Sequence, residues 1–302
     1  MRRALVTALA LACAVAPALR AQPVPQVSAG RIERIASMPS RHVAARHVDV
    51  WLPPGYDRSR RYPVLYMHDG QMLFDSTVTW NRQAWDFAGI ASRLIAEGAI
   101  EPVIVVGIWN SGPTRHSEYF PEKALAFIPE PSRRSLVQSG LSGQPRADAY
   151  LRFLVGELKP RIDATYATRP DAASTFVMGS SMGALISLYA ISEYPQVFGG
   201  AAALSTHWVG AGFANATIPL GILAYLRDHL AHGEEHRLYM DRGTTELDAL
   251  YAPAQPLAEQ VAFDRGYRGR NFMARTYEGA GHNERAWRAR LDVPLRFLLA
   301  PR

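Results

Sequence analysis

The chain has 302 residues, 48% hydrophobic and 20% charged, a balance that suits one well-cored globular domain and excludes a disordered or fibrous chain. Its formal charge of +6 includes Arg2, Arg3 and Arg20, with no acidic residue before Gln22 to offset them. The remaining mild excess is spread along the chain and forms no basic patch interleaved with aromatics, so no nucleic-acid partner is expected.

Arg2 and Arg3 open the chain, Ala4 to Leu19 is apolar, and Leu19-Arg20-Ala21 ends at a cleavage-like site. Residues 1–21 are therefore expected to be an export signal, with residues 22–302 a periplasmic or secreted domain. The apolar run is shorter than the roughly 20 residues a membrane span needs, so no stable insertion is expected once the signal is cleaved. Cys13, the single cysteine, lies inside that signal, which leaves the mature domain without disulfides or cysteine-bound metal.

Arg31 to Ile35 and His47 to Leu52 alternate like half-buried strands, and Pro53-Pro54-Gly55-Tyr56 closes the second. They read as an antiparallel lead-in. Short, nearly continuous apolar runs follow at Val64 to Met67, Val103 to Ile108, Thr175 to Met178, Ala201 to Leu204, Leu238 to Met240 and Phe272 to Tyr277. Runs apolar on both faces are what parallel strands covered by helices require. Helical periodicity fits Trp85 to Glu97, Ala147 to Asp163, Met182 to Tyr194, Ile222 to His232 and Glu284 to Leu299. The pattern predicts an α/β protein with an eight-stranded, mostly parallel sheet and helices on both faces. Residues 110–146, rich in Pro, Ser, Gly and Arg, follow a strand end where open α/β sheets place ligands, and are expected to be a substrate-facing loop or small lid. Trp208 to Pro219 is similarly placed.

Gly179-Ser180-Ser181-Met182-Gly183 fits a nucleophile elbow, in which flanking glycines let the chain turn sharply enough to expose Ser181 between a strand and a helix. A serine hydroxyl needs a base, and His282 in Gly279-Ala280-Gly281-His282-Asn283-Glu284 follows the last strand as the order serine, acid, histidine requires. The acid should follow Leu238 to Met240. Asp241 is close enough to the strand for a structural role, while Asp248 and Glu246 both lie farther out; Asp248 is favoured and Glu246 stays open. The Met182 and Gln71 N–H groups are the candidate oxyanion donors, and His68 and Asp69, expected to lie near the site and shape it, are candidate substrate-pocket residues.

These residues, together with Val50-Trp51-Leu52-Pro53-Pro54-Gly55-Tyr56, Tyr62-Pro63-Val64-Leu65-Tyr66, His68-Asp69-Gly70-Gln71 and Val105-Val106-Gly107-Ile108, give a chain that resembles the Putative esterase family of the α/β-hydrolase superfamily. That family includes esterase D (S-formylglutathione hydrolase), feruloyl and acetylxylan esterases, enterobactin-type esterases and mycolyl transferases. The resemblance runs from about Arg31 to Leu299. It implies the α/β-hydrolase fold, a Ser-acid-His triad, and cleavage of small-molecule or saccharide-linked carboxylic esters through an acyl-enzyme without metal or cofactor. In many members the acid stands three places after the glycine matching Gly243, which points to Glu246, so the acid stays open between the two carboxylates. An acyltransferase using the same triad, or a non-catalytic binding module of the same fold, are the alternatives.

His229, His232 and His236 would share a face on a continuous helix and could ligate zinc, but Gly233 interrupts that helix and no metal is expected. Of the tryptophans, Trp85 and Trp287 are expected in the core, whereas Trp109 and Trp208, each after a strand end, are candidate pocket walls together with His207.

Overall fold

The computed structural model describes residues 22–301. The expected export signal and Cys13 lie outside the described residues.

Eight strands form one sheet in the order β1-β2-β4-β3-β5-β6-β7-β8. They are β1 (Arg31–Met38), β2 (Arg46–Leu52), β3 (Val64–His68), β4 (Ile104–Ile108), β5 (Thr175–Ser180), β6 (Gly200–Leu204), β7 (Arg237–Gly243) and β8 (Phe272–Tyr277). β1 pairs antiparallel with β2, and β2 antiparallel with β4. Every other pairing is parallel. All eight strands fall where the alternation and the apolar runs place them. β3, β4, β5 and β6 are buried at every residue, because helices cover both faces.

The helices are α1 (Phe87–Ala96), α2 (Arg115–Tyr119), α3 (Ser132–Ser135), α4 (Ala147–Phe153), α5 (Lys159–Thr165), α6 (Met182–Glu193), α7 (Thr217–His229), α8 (Gln255–Asp264), α9 (Glu284–Arg288) and α10 (Asp292–Leu299). Alternate residues of each strand feed two cores. Leu65, Phe176, Met178, Ala202 and Leu204 pack with α1, α9 and α10, while Tyr66, Val177, Ala201 and Ala203 pack with α4 to α8.

The structure departs from the periodicity at several points, of which three bear on the layers. α7 starts at Thr217 rather than Ile222, since Pro219 sits in its first turn, where a missing N–H costs nothing. The helix expected over Glu284 to Leu299 breaks into α9 and α10. α8 carries no clear apolar stripe: it buries Gln255, Ala258 and Ala262 while Leu257 and Phe263 are about half exposed, so its period is hidden in small residues.

Candidate active site

Ser181 stands between β5 and α6 with φ 59° and ψ −123°, a conformation that costs a non-glycine residue on the order of 1–3 kcal/mol. Its N–H donates to Leu204 O (2.9 Å), and its carbonyl accepts from Ala184 N (3.1 Å), so the neighbouring strand and the first turn of α6 hold the bend. Gly179 is required by contact, and Gly183 is tightly packed. A Cβ on Gly179 would stand 2.7 Å from the backbone of Gly183, and one on Gly183 would stand 3.3 Å from His68 Cβ. Met182 opens α6, so its N–H belongs to the donors that a helix N-terminus leaves without an intrahelical acceptor.

The loop after β3 lies against this elbow. Gln71 sits in a single turn, Gly70–Met72, and its side-chain oxygen accepts from Asn110 N (3.2 Å). Asp69 accepts two bonds from Arg115, both 2.7 Å, and one from Asn110 Nδ2 (2.7 Å). Burial works against its charge, yet Arg115 and Asn110 outweigh burial and hold the carboxyl below the usual range. His68 is wholly buried, bonded through Nδ1 to Tyr150 Oη (2.8 Å), and burial takes it down to about 3. A second buried pair, Arg46 on Glu118 at 2.8 and 2.9 Å, helps fix α2 and with it the start of the 110–146 segment.

The loops after β7 and β8 bring the imidazole and the carboxylates together. His282 Nδ1 is 2.5 Å from Asp248 Oδ1. Asp248 is wholly buried, and its Oδ2 accepts from Gly243 N and from Ser205 Oγ (2.6 Å). Glu246, with φ 55°, turns instead to the backbone and accepts from His282 N (2.8 Å) and Asn283 Nδ2 (3.3 Å). Asp241, inside β7, pairs with Arg290 (2.9 and 3.1 Å); burial nonetheless outweighs Arg290 and raises its carboxyl above the usual range.

Several residues were not signalled by the sequence. Ser205, buried directly after β6, accepts from Arg290 Nη2 (2.7 Å) and Trp287 Nε1 (3.0 Å). Trp287 also packs edge-on against His282, with centroids 5.1 Å apart. Tyr251, three residues after Asp248, bonds to His207 Nδ1 (2.7 Å) and is a side-chain hydrogen-bond partner of Ser181. Its place in the acid loop is the one signal that could have found it. Burial, and then His282, take His207 down to about 3, which keeps its ring neutral.

Ser181, Met182 and His207 line a cavity of about 740 Å³, walled by residues of the 110–146 segment and of the loop that ends at α7. Of the expected pocket residues only His207 is in this lining; His68 and Asp69 are taken up by Tyr150 and Arg115, and the two tryptophans lie elsewhere. Trp208 is wholly buried and donates to Gln255 Oε1 (3.0 Å), and Trp109 donates to Asp49 Oδ2 (2.8 Å) beneath Arg34, at the antiparallel side of the sheet. Both indoles are claimed by buried acceptors, so neither reaches the cavity. Trp85 and Trp287 pack together in the core (5.7 Å), while Trp80 is 84% exposed.

His229 stacks on Tyr225, whereas His236 bonds to His232 O and Pro195 O, so the three histidines do not share a face. Among the described residues no group of three or more His, Cys, Asp or Glu side chains is arranged to hold a metal ion. No helix among them is long and apolar enough to cross a membrane.

The chain is 26% identical over 184 residues to an endo-1,4-beta-xylanase/feruloyl esterase of Xylanibacter ruminicola, a stretch covering 57% of this chain and 21% of that protein. Overall it spans 21% to 60% of the length of the curated relatives it matches. Among solved structures, a ferulic acid esterase superposes with TM-score 0.63 at 17% identity, covering 90% of this chain and 98% of that one. The enterobactin esterase of Shigella flexneri does so with TM-score 0.61 at 20% identity, covering 91% and 60%. At these identities the likeness is one of fold, the α/β-hydrolase arrangement of the sheet. Residues 43–298 match the family described as "Esterase: Putative esterase", and the chain belongs to that family.

Proposed function

We propose that the protein hydrolyses carboxylic esters through an acyl-enzyme on Ser181, with His282 as general base and Asp248 as the carboxylate that fixes its tautomer and stabilises the imidazolium. The observation that carries this reading is the contact of His282 Nδ1 with the buried Asp248 Oδ1 at 2.5 Å, at the same sheet edge as the strained Ser181. Glu246 supports the backbone of His282 and leaves the ring to Asp248. The Met182 and Gln71 N–H groups are the proposed oxyanion donors. Esterase family membership, and relatives named for ferulic acid and enterobactin esters, support a small-molecule or saccharide-linked ester as substrate.

The test is hydrolysis of 4-nitrophenyl acetate by purified variants. Ser181→Ala is expected to abolish turnover, and undiminished turnover in a folded variant overturns the mechanism. Asp248→Asn is expected to cost about three orders of magnitude in kcat and Glu246→Gln less than about tenfold. The reverse ranking would move the acid to Glu246. Export is part of the same proposal: recovery from the periplasm or medium with Gln22 as first residue is expected, and retention in the cytoplasm with an intact N-terminus would refute it.

A further inference from the structure

The cavity beside Ser181 is lined by Leu136 and Ser139 from the 110–146 segment, by Ala211, Phe213 and Ile218 from the loop into α7, and by Leu247 from the acid loop, among others. Two properties of that lining matter. Among the described residues that line it there is no Asp, Glu, Lys or Arg, and His282 is not one of them.

The absence of His282 says which half of an ester belongs there. As Ser181 Oγ bonds to the carbonyl carbon, its proton passes to His282; as the bond from that carbon to the alcohol oxygen breaks, His282 returns the proton to the departing alcohol. The alcohol must therefore lie on the side of Ser181 that faces His282. Because the cavity touches Ser181 and Met182 and is not lined by His282, we assign it to the acyl group, which stays attached to Oγ.

The lack of charge says what kind of acyl group it is. Cations next in sequence to lining residues have carboxylate partners: Arg115 bonds Asp69 twice at 2.7 Å, Arg133 bonds Glu130 at 3.1 Å, and Arg134 lies 3.9 Å from Glu130. Its two histidines, His116 and His207, are both held below the usual imidazole range, chiefly by burial, and offer no positive charge near neutral pH. A charged group entering would give up its water without gaining a partner. A volume of about 740 Å³ is that of a site for a drug-sized ligand and far exceeds an acetyl group. Phe213, 67% exposed, leaves an apolar ring free for a ligand to cover.

We propose that this cavity is the acyl pocket and that it selects large uncharged acyl groups, rejecting small ones for want of contact and anionic ones for want of a cation. The inference rests on the acyl-enzyme reading above.

Three esters of one alcohol test it: 4-nitrophenyl acetate, 4-nitrophenyl octanoate and mono-4-nitrophenyl adipate, whose acyl chain ends in a carboxylate. We expect kcat/KM for the octanoate to exceed that for the acetate by about tenfold or more, and the adipate to fall about a hundredfold below the octanoate. Ser139→Arg, or Ser135→Arg should the first fail to fold, is expected to raise the adipate and lower the octanoate, each by about tenfold. Equal rates for acetate and octanoate, or an adipate hydrolysed as fast as the octanoate, overturn the proposal. A readout independent of turnover is the fluorescence of the neutral probe N-phenyl-1-naphthylamine, displaced by octanamide and not by adipic acid monoamide. That displacement pattern without any ester hydrolysis would sink the proposed activity and leave the pocket's selectivity standing. Hydrolysis without acyl discrimination would do the opposite.

Discussion

Ser205 is the residue through which the acid of the proposed triad can be tested without touching the triad. Its Oγ meets Arg290 Nη2, Trp287 Nε1 and Asp248 Oδ2 at 2.7, 3.0 and 2.6 Å. Arginine and the indole N–H can only donate, so the one proton of the Ser205 hydroxyl goes to Asp248. A hydrogen bond to a carboxylate contributes about 1.5–3 kcal/mol, and in Ser205→Ala Asp248 keeps Gly243 N–H and His282 as partners. We therefore expect a loss near the lower bound, about 1.4 kcal/mol, or about tenfold in kcat/KM with KM little changed. The decisive measurement is a double-mutant cycle on 4-nitrophenyl octanoate. If Ser205 acts by aiming Asp248, its removal should cost less than about twofold once Asp248→Asn is in place, because residues sharing one network are not additive. The same tenfold loss in both backgrounds would show that Ser205 matters only to the fold, and the argument for a braced Asp248 would fall.

Three further outcomes are expected. Tyr251→Phe removes the hydrogen-bond partner of buried His207 Nδ1 and should lower the unfolding free energy in urea by about 1–3 kcal/mol; an unchanged midpoint would mean that water replaces the phenol. Arg290→Met strips Asp241 of its cation. The carboxyl of Asp241 is already raised in the folded state, so the native protein holds that proton more tightly than the unfolded chain, and stability from this group falls as pH rises above the unfolded value of about 3.9. The variant should thus lose more stability, relative to wild type, at pH 7 than at pH 4.5, and equal losses in urea melts at the two pH values would contradict this. Gly179→Ala forces a Cβ to 2.7 Å from the Gly183 backbone and should destabilise by about 3 kcal/mol or more, whereas Gly183→Ala, facing His68 Cβ at 3.3 Å, should cost less; the opposite order in thermal melts would misplace the elbow.

The sheet was legible because parallel strands buried on both faces leave few residue types to choose from, and the runs from Val64 to Met240 show that restriction directly. The strand-turn-helix around Ser181 was legible for a related reason: the backbone of Gly183 approaches Gly179 so closely that only glycine fits at 179. What the sequence concealed is direction. Trp109 and Trp208 each follow a strand end, where a cleft wall would stand, but Asp49 and Gln255 are the buried acceptors that turn their indoles inward. Those partners lie 60 and 47 residues away along the chain, beyond any local pattern. α8 was hidden because its buried face is made of alanines, and Ser205, Trp287 and Arg290 because a network is a property of contacts between distant segments.

The choice between Glu246 and Asp248 turns on the same point at closer range. The two carboxylates are two residues apart in one short helical turn, Glu246–Tyr251, and both reach the loop of His282, so spacing alone does not separate them. Two glycines make room for the division. At Gly281 a Cβ would stand 2.5 Å from the Glu246 carboxyl carbon, and at Gly243 one would stand 2.9 Å from Asp248 Oδ2. With both absent, Glu246 closes on the backbone of His282 and Asp248 passes beneath it to the ring nitrogen. Burial then assigns the cost. Asp248 has no exposed surface and shares its interior with one other acid, Asp241, and one base, Arg290, whose Nη2 is 4.0 Å from Asp248 Oδ2. Arg290 faces both carboxylates there, and an imidazolium on His282, 2.5 Å from Asp248 Oδ1, would give Asp248 a cation of its own at the moment Ser181 gives up its proton. Glu246, open to water, holds the backbone of His282 and not its ring, and for that reason Asp248 is the acid of the proposed triad.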